Sequence, residues 1–560
     1  MRVYAMILLC MTLLAGCGSN HDSSGRTNAA RRQAVAGDSA QSPSRGGTII
    51  IGLQQEPEML SEVLNATAAN NLICNLIFGK FVKYDDSLTL IPDMIEKIPS
   101  RENGGISSDH LTYTYVLRGD TRWHDGEPIT SRDVAFTYRL IMDPNVNVES
   151  REGWDVVDRI ETPDEQTVVF HLKRPYPDFI AETFYDESVL PEHLLRNETG
   201  KAFNSSSFHH APVGSGPFVF KEWISGSHLV LARNDDYYGD GPYLDTIIFK
   251  FIPDMNTLLV QLKTGEIDCF DSAEINFLPQ LEQIPGVTIY KTPMLMYEHL
   301  DLNTEHPILS DKRVRQALSY ATNKREIAEK VYNGVVVVAD LDEFPSSKYF
   351  NPAAAAEAAY DPLKARRLLR EAGWVDLDGD GILEKDGNDL VLTISTTSGQ
   401  VNRERAEIVL MSQYREVGVD LRIRNYNSTV LYGTYEDGGI LKRGKFDIAM
   451  YAWLSSPEPA TKEAIYSGKN IPPKGQNNPR IDNEELTSLL ERASNEVDEK
   501  TRIELYNKIS EILVSEAPVI PLFWYTSVDA CIDGLKNFKP NPTQSADSWN
   551  AQLWYLRQSK

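Results

Sequence analysis

Cysteine is scarce: five in 560 residues, at Cys10, Cys17, Cys74, Cys269 and Cys531. Their separations form no zinc pattern and no Cys-x-x-Cys pair, which excludes a thiol redox centre and a cysteine zinc site. The last three fall in the body of the chain, where buried thiols are the default expectation and one bridge is the most that three can form. Positive charge is also short. Lys and Arg total 56 against 80 Asp and Glu, for a formal net charge of −24. Such a balance argues against nucleic acid and anionic lipid surfaces as partners. No stretch after the first residues is apolar enough to span a membrane, a task that takes about 20 residues. Catalytic motifs are missing too. There is no Gly-x-Ser-x-Gly elbow, no His-Glu-x-x-His, no phosphate-binding loop and no dinucleotide fingerprint, so an enzymatic reading has no positive support.

What is present begins with a signal. Met1-Arg2 leads into an apolar run from Met6 to Leu14, followed by Leu14-Ala15-Gly16-Cys17. A short cationic head, a brief hydrophobic stretch and a small-residue cleavage site read as an export signal. Leu-Ala-Gly-Cys resembles the bacterial lipobox, which makes residues 1–16 a lipoprotein signal peptide and Cys17 the lipidated new N-terminus. Lipid would then hold the protein at a membrane of the cell envelope, facing the periplasm or the exterior, without a spanning helix. Residues 17–46 are Ser, Gly, Asn, Ala and Arg with almost no large apolar side chain, the composition of a flexible tether.

The remaining 510 or so residues exceed a single core and call for two or three domains. Gly47-Thr48-Ile49-Ile50-Ile51-Gly52 reads as a buried strand bounded by glycines. Tyr113 to Leu117, Gln166 to Leu172 and Thr246 to Ile252 alternate like half-buried strands. Asp311 caps a helix whose stripe is Val314, Ala317, Leu318 and Ala321, and Asn323 with Glu326 opens the next as a capping box. Asp361 and Pro362 start a helix that closes at Gly373. A further helix carries Ala406, Val409, Leu410, Tyr414 and Val417 to Gly418, and a strand follows at Val419. This alternation predicts an α/β architecture.

Two polar features invite a metal reading. The adjacent pair His209-His210 fits a solvated loop better than a site. Asp376-Leu377-Asp378-Gly379-Asp380-Gly381 matches the opening of a calcium loop, with Asp376, Asp378 and Asp380 as oxygen donors. Its twelfth position, however, is Gly387, where a bidentate Glu belongs. The competing reading is an Asp/Gly turn entering a strand.

Several stretches, in order along the chain, carry a resemblance. They are Tyr113 to Arg118, Trp123-His124-Asp125-Gly126-Glu127-Pro128-Ile129-Thr130 and Asp133-Val134-Ala135-Phe136. Gly214 to Phe218, Asn234 to Tyr238, Leu262 to Asp268, Asp311 to Ala317 and Ala517-Pro518-Val519-Ile520-Pro521 complete the set. Together they resemble the family 5 bacterial extracellular solute-binding proteins, the group of oligopeptide- and dipeptide-binding proteins. Trp123 to Gly126 reads as packing and turn-making, so His124 is not taken as a ligand. The resemblance implies a bilobal, clamshell-like α/β fold of the type II periplasmic-binding-protein kind, with an extra domain inserted in the first lobe. The implied division is 47–82, 213–296 and 516–560 for lobe I, 83–212 for the inserted domain, and 297–515 for lobe II. Hinge closure would bury a ligand in the cleft.

The resemblance also implies a function: capture of a small, peptide-like ligand, as a monomer without a cofactor, and delivery to the permease subunits of an ABC importer. Rival expectations are a ligand-binding sensor for a signalling receptor, a binder of an oligosaccharide or metal chelate, and a hydrolase on the same scaffold. Phe446 to Trp453 resembles the segment that enters the cleft, with Tyr451 and Trp453 as candidate contacts. Peptide-binding members place an aspartate three residues after that Trp to accept the peptide's α-amino group, and here the position is Ser456. Either Glu458 substitutes from a shifted loop or the ligand lacks a free N-terminus, since an unpaired buried ammonium is costly. Glu56, Tyr297 and Asn303 are further candidate contacts at the cleft edge and the crossing into lobe II.

Overall fold

The computed structural model describes residues 43–183, 188–459, 461–543 and 547–557. The expected signal peptide, Cys17 and nearly all of the expected tether lie outside the described residues. The strand expected after Gly47 is β1, Thr48–Leu53, with Ile49, Ile51 and Leu53 buried on one face. Gly52 is needed there, because a Cβ would run into Leu258 and Ile267.

A three-stranded antiparallel sheet follows from β2 (Thr112–Val116), β3 (Val157–Glu161) and β4 (Thr167–Leu172), with β4 in the middle. Its alternating burial is what the period-two pattern of Tyr113, Tyr115, Val168 and Phe170 requires. The Trp123 to Gly126 stretch is a turn, closed by Gly126 N–H to Trp123 C=O, with Gly126 at a φ of 95°. His124 is locked between the backbones of Gly214 and Gly216, and burial pushes its imidazole down to about 4. It is a packed, neutral side chain, as expected.

The main sheet has eleven strands. Those that follow β4 in the chain are β5 (Phe218–Ile224), β6 (His228–Arg233), β7 (Thr246–Phe251), β8 (Cys269–Phe270), β9 (Val287–Leu302), β10 (Val337–Val338), β11 (Val391–Ser395), β12 (Asp420–Ile423), β13 (Ile448–Leu454) and β14 (Val519–Ile532). Across the sheet the order is β12-β11-β13-β9-β14-β8-β1-β7-β6-β5, with β10 beside β14. β1 runs parallel to both β7 and β8, whereas β11 runs parallel to β12 and β13.

Two long antiparallel strands join the ends of this sheet. β9 and β14 pair from Val287/Ile532 to Asp301/Val519, with register shifts between Pro293 and Tyr297 and between Glu298 and His299. On one side of these shifts the sheet packs on a core that includes Ile49, Phe78, Tyr115, Phe170, Leu231 and Trp554. On the other it packs on Leu300, Leu318, Leu392, Leu410 and Leu522. The molecule therefore has a first and a second half, and the three-stranded sheet shares the core of the first.

Helices in the second half match the capping signals. Asp311, Asn323 and Asp361 each accept a backbone N–H of their helices, Lys312–Ala321, Lys324–Tyr332 and Pro362–Glu371. Helix Val401–Glu416 crosses from β11 to β12.

The default reading of buried thiols is corrected for two of three cysteines. Cys269 on β8 and Cys531 on β14 stand in register and form a disulfide, while Cys74 is a buried free thiol. Sequence spacing gave no hint, because the pairing spans 262 residues.

Candidate functional site

Between the two halves lies a cavity of about 510 Å³, within the range of small-ligand clefts. Its second-half wall is built where β13 ends. The first four residues of β13 are buried, and Ser455 N–H then bonds Leu295 C=O, so the chain turns off the sheet. The loop Ser455 to Pro459 follows the cavity edge. Trp453, Tyr297 on the neighbouring strand, Ser456 and Glu458 all line the space. Tyr297 stands opposite Trp453 in the β9–β13 register and packs on Trp524, with ring centroids 5.0 Å apart and planes tilted by 48°. The first half contributes Tyr84, Leu90, Pro177 and Ile180. Aromatic and aliphatic surfaces thus face a ring of charges, the mixture that buries a ligand and orients it.

Those charges form two groups. At the floor, Lys462 Nζ lies 2.5 Å from Asp342 and 2.9 Å from Glu343. Tyr466 donates to Asp342 and Ser510 to Glu343. Burial raises both carboxyls, but Lys462 outweighs it for Asp342, which ends below the usual range. Glu343 is left at about 7, lifted by burial and by the neighbouring Asp342 charge.

At the rim, Arg502 is the centre. Its guanidinium meets Glu458 at 2.8 Å and Asp178 at 2.5 Å, and donates to the Tyr349 hydroxyl at 3.0 Å. Tyr349 donates in turn to Glu458 at 2.6 Å, and Lys348 bridges Glu458 at 3.1 Å and Glu499 at 2.7 Å. Burial pulls the Lys348 ammonium down, yet the two glutamates hold it above its ordinary value. Burial raises Asp178 to about 6 against the pull of Arg502. Ser456 donates to the Glu458 backbone carbonyl and, at 3.3 Å, to Glu182 of the first half.

Of the seven candidate ligand contacts, the structure brings four to this cavity: Tyr297, Trp453, Ser456 and Glu458. Glu56 and Asn303 do not line this cavity. The Glu56 carboxylate accepts Trp223 Nε1–H at 2.7 Å and Gly226 N–H at 2.8 Å, which ties it to the β5–β6 hairpin. Asn303 donates to the carbonyls of Gly444 and Phe446, so it fixes a loop within the second half. Tyr451 is buried behind the wall, donating to Asp301 and accepting from Asn478 at 3.0 Å. Asp178, Lys348, Tyr349 and Arg502 were not anticipated. One signal was there: Arg502 lies on the stripe of Leu505, Tyr506, Ile509 and Leu513, so helical spacing already pointed it inward.

Two carboxylate groups have oxygens close enough to share a cation. In the first, Asp376 and Asp378 are joined by Glu384 instead of Asp380, whose carboxylate accepts Ile382 N–H. Asp376 also accepts the N–H groups of Gly379 and Gly381, which favours the turn reading. The second group, Asp271, Asp529 and Asp547, escaped the sequence because its members are far apart in the chain. His209 is buried on Phe203 C=O, away from both.

The family model for bacterial extracellular solute-binding proteins, family 5, matches residues 89–470. The chain belongs to that family. It is 28% identical over 558 residues to the oligopeptide-binding protein AppA of Bacillus subtilis (strain 168), covering 99% of this chain and 98% of the relative. The solved structure of that protein in complex with a nonapeptide superposes with a TM-score of 0.70 over 92% of this chain and all of the other. NikZ from Campylobacter jejuni in complex with Ni(L-His) is 25% identical, with a TM-score of 0.71 over 91% of this chain and 99% of its own. As a family 5 member the chain is an extracytoplasmic solute-binding protein with the bilobal type II binding-protein fold. Among the described residues, no helix is long and apolar enough to cross a membrane.

Proposed function

We propose that this protein binds a peptide in the cavity between its halves and hands it, chemically unchanged, to an ABC import permease. The observation that carries the reading is the cavity itself: about 510 Å³, walled by Tyr297 and Trp453 and ringed by hydrogen-bonding side chains at the junction of the two halves. Family membership and the likeness to a nonapeptide complex add support. Tyr297, Trp453, Ser456 and Glu458 are the ligand contacts in this reading. Glu458 is held by Lys348 and Arg502, which supports a ligand that brings no free ammonium to the Ser456 corner.

The halves correspond, in this reading, to lobe I (47–82, 213–296 and 516–560) with the inserted domain 83–212, and to lobe II (297–515). Closure about β9 and β14 buries the ligand. Export and lipid attachment at Cys17 would keep the protein beside its permease. Thermal denaturation with matched peptides, free and N-acetylated, tests the function. A ligand at about 100 times its dissociation constant adds roughly 2.7 kcal/mol to folding, a readable shift. Stabilisation by acetylated peptides at least equal to that by the free forms is the expected result. No stabilisation by any peptide, with a shift from a sugar or metal chelate, overturns the peptide assignment.

A further inference from the structure

Arg502 is aimed before it meets the opposite half. Three of its four partners belong to its own half: Ala493 C=O at 3.2 Å, Tyr349 Oη at 3.0 Å and Glu458 Oε2 at 2.8 Å. Its helix, Glu499–Glu516, is anchored by the Asp498 cap and by the packing of Leu505 and Ile509. The fourth partner is Asp178, which precedes helix Phe179–Thr183 of the first half. Both side chains are almost wholly enclosed, at 5% and 1% exposure. Two weaker contacts flank the pair across the same seam: Arg174 to Asn495 at 3.2 Å and Ser456 to Glu182 at 3.3 Å.

The two members stand differently on separation. Arg502 would keep its three partners. Asp178 would lose the guanidinium and regain water, and its Oδ1, buried with no hydrogen-bond partner among the described residues, would be solvated as well. A buried pair of this kind is close to balance between attraction and lost hydration, so it biases a movement without blocking it. Removing Arg502 while Asp178 stays enclosed is different, because the Asp178 charge is then buried without its partner. Closure therefore depends on Asp178 being met by Arg502, and all of these contacts come from the chain itself.

We propose that the Asp178–Arg502 ion pair is a latch that holds the two halves together before any ligand enters. Ligand binding then acts on a protein already biased to the closed form. The latch rests on the two-lobed binding reading above.

Spin labels at two exposed positions, Lys201→Cys in the first half and Lys500→Cys in the second, report the separation in the full-length protein without ligand. The latch predicts a predominantly short distance in the otherwise unaltered chain. Arg502→Met leaves Asp178 enclosed without its cation, and it should raise the ratio of long to short distances at least tenfold. Arg174→Gln, at the flanking contact, should change that ratio less than twofold, and thermal melting checks that each variant is folded. A long distance in the unaltered chain that shortens on adding N-acetyl-tetra-alanine overturns the latch and leaves the binding reading intact. Equal opening by Arg502→Met and Arg174→Gln also overturns it. A distance that stays fixed in every variant, with or without the peptide, removes the latch and the clamshell reading together.

Discussion

Two of the charge clusters in this molecule are built on opposite plans. At the cleft rim, Asp178 and Glu458 face Arg502, and Lys348 stands between Glu458 and Glu499, so carboxylates and cations alternate. In the sheet of the first half, Asp271, Asp529 and Asp547 converge with no ion pair to Lys or Arg among the described residues. Burial raises all three carboxyls, Asp271 to about 6, and the charge of the neighbouring carboxylates adds to the rise at Asp529, to about 8, and at Asp547. The alternating cluster crosses the seam that closure would shut. The acid cluster sits beside strands that a covalent bond holds together: Asp271 follows β8, Asp529 lies on β14, and Cys269–Cys531 ties those strands two residues away. Charge is balanced at the seam and unbalanced beside the disulfide.

The difference can be broken at four points. Arg502→Met leaves Asp178 and Glu458 without their shared cation and should cost about 3–5 kcal/mol in the closed form, read by urea denaturation as a lower midpoint. Asp178→Asn in the same background should recover part of that loss. Cys269→Ser should cost about 2–4 kcal/mol, as expected for the loss of a long-range disulfide. The loss should grow as pH rises, because the freed strands then carry repelling carboxylates. Melting curves at pH 5 and pH 8 check this.

The third test is pH itself. The folded pKa of Asp529 lies above its ordinary value, so the native state holds a proton that the unfolded chain has released. Its contribution is fully present below about pH 4 and is lost as pH rises through about 8. The expected loss is on the order of 2 kcal/mol, since the three carboxyls share protons. Asp529→Asn should flatten the profile of melting temperature against pH. A steeper profile would show that the cluster is not the titrating group. The smallest effect is expected at Glu56→Gln: about 1 kcal/mol from weakened bonds to Trp223 and Gly226, with ligand affinity unchanged within about twofold, by titration calorimetry.

How much of this could be read from the chain follows from the range of each interaction. Asp311, Asn323 and Asp361 announce their helices because a cap acts over three residues. β2 and β4 are legible because burial alternates within a strand. Trp453 and Ser456 were legible through family motifs, which position the segment entering the cleft. The hairpin bonds of Glu56 were not legible, because a carboxylate after a first strand serves a cleft and a hairpin equally well until Trp223 is seen beside it. The Arg502 network and the acid cluster stayed hidden for a common reason. Their partners are 324 residues apart for Asp178 and Arg502, and 258 for Asp271 and Asp529, and no local pattern records such a meeting.

The irregular register of β9 has a mechanical consequence. The shifts between Pro293 and His299 interrupt the ladder of the connecting strands beside Tyr297, which is also part of the cavity wall. In the proposed closure, axle and cavity wall are thus the same few residues. A group pressing on Tyr297 acts with a short arm, while the Asp178–Arg502 rim swings on a long one. A slight misfit near the axle is therefore geared up into a wide gap at the rim, so ligand shape deep in the cavity is reported at the outer edge, where a docking permease would sense it.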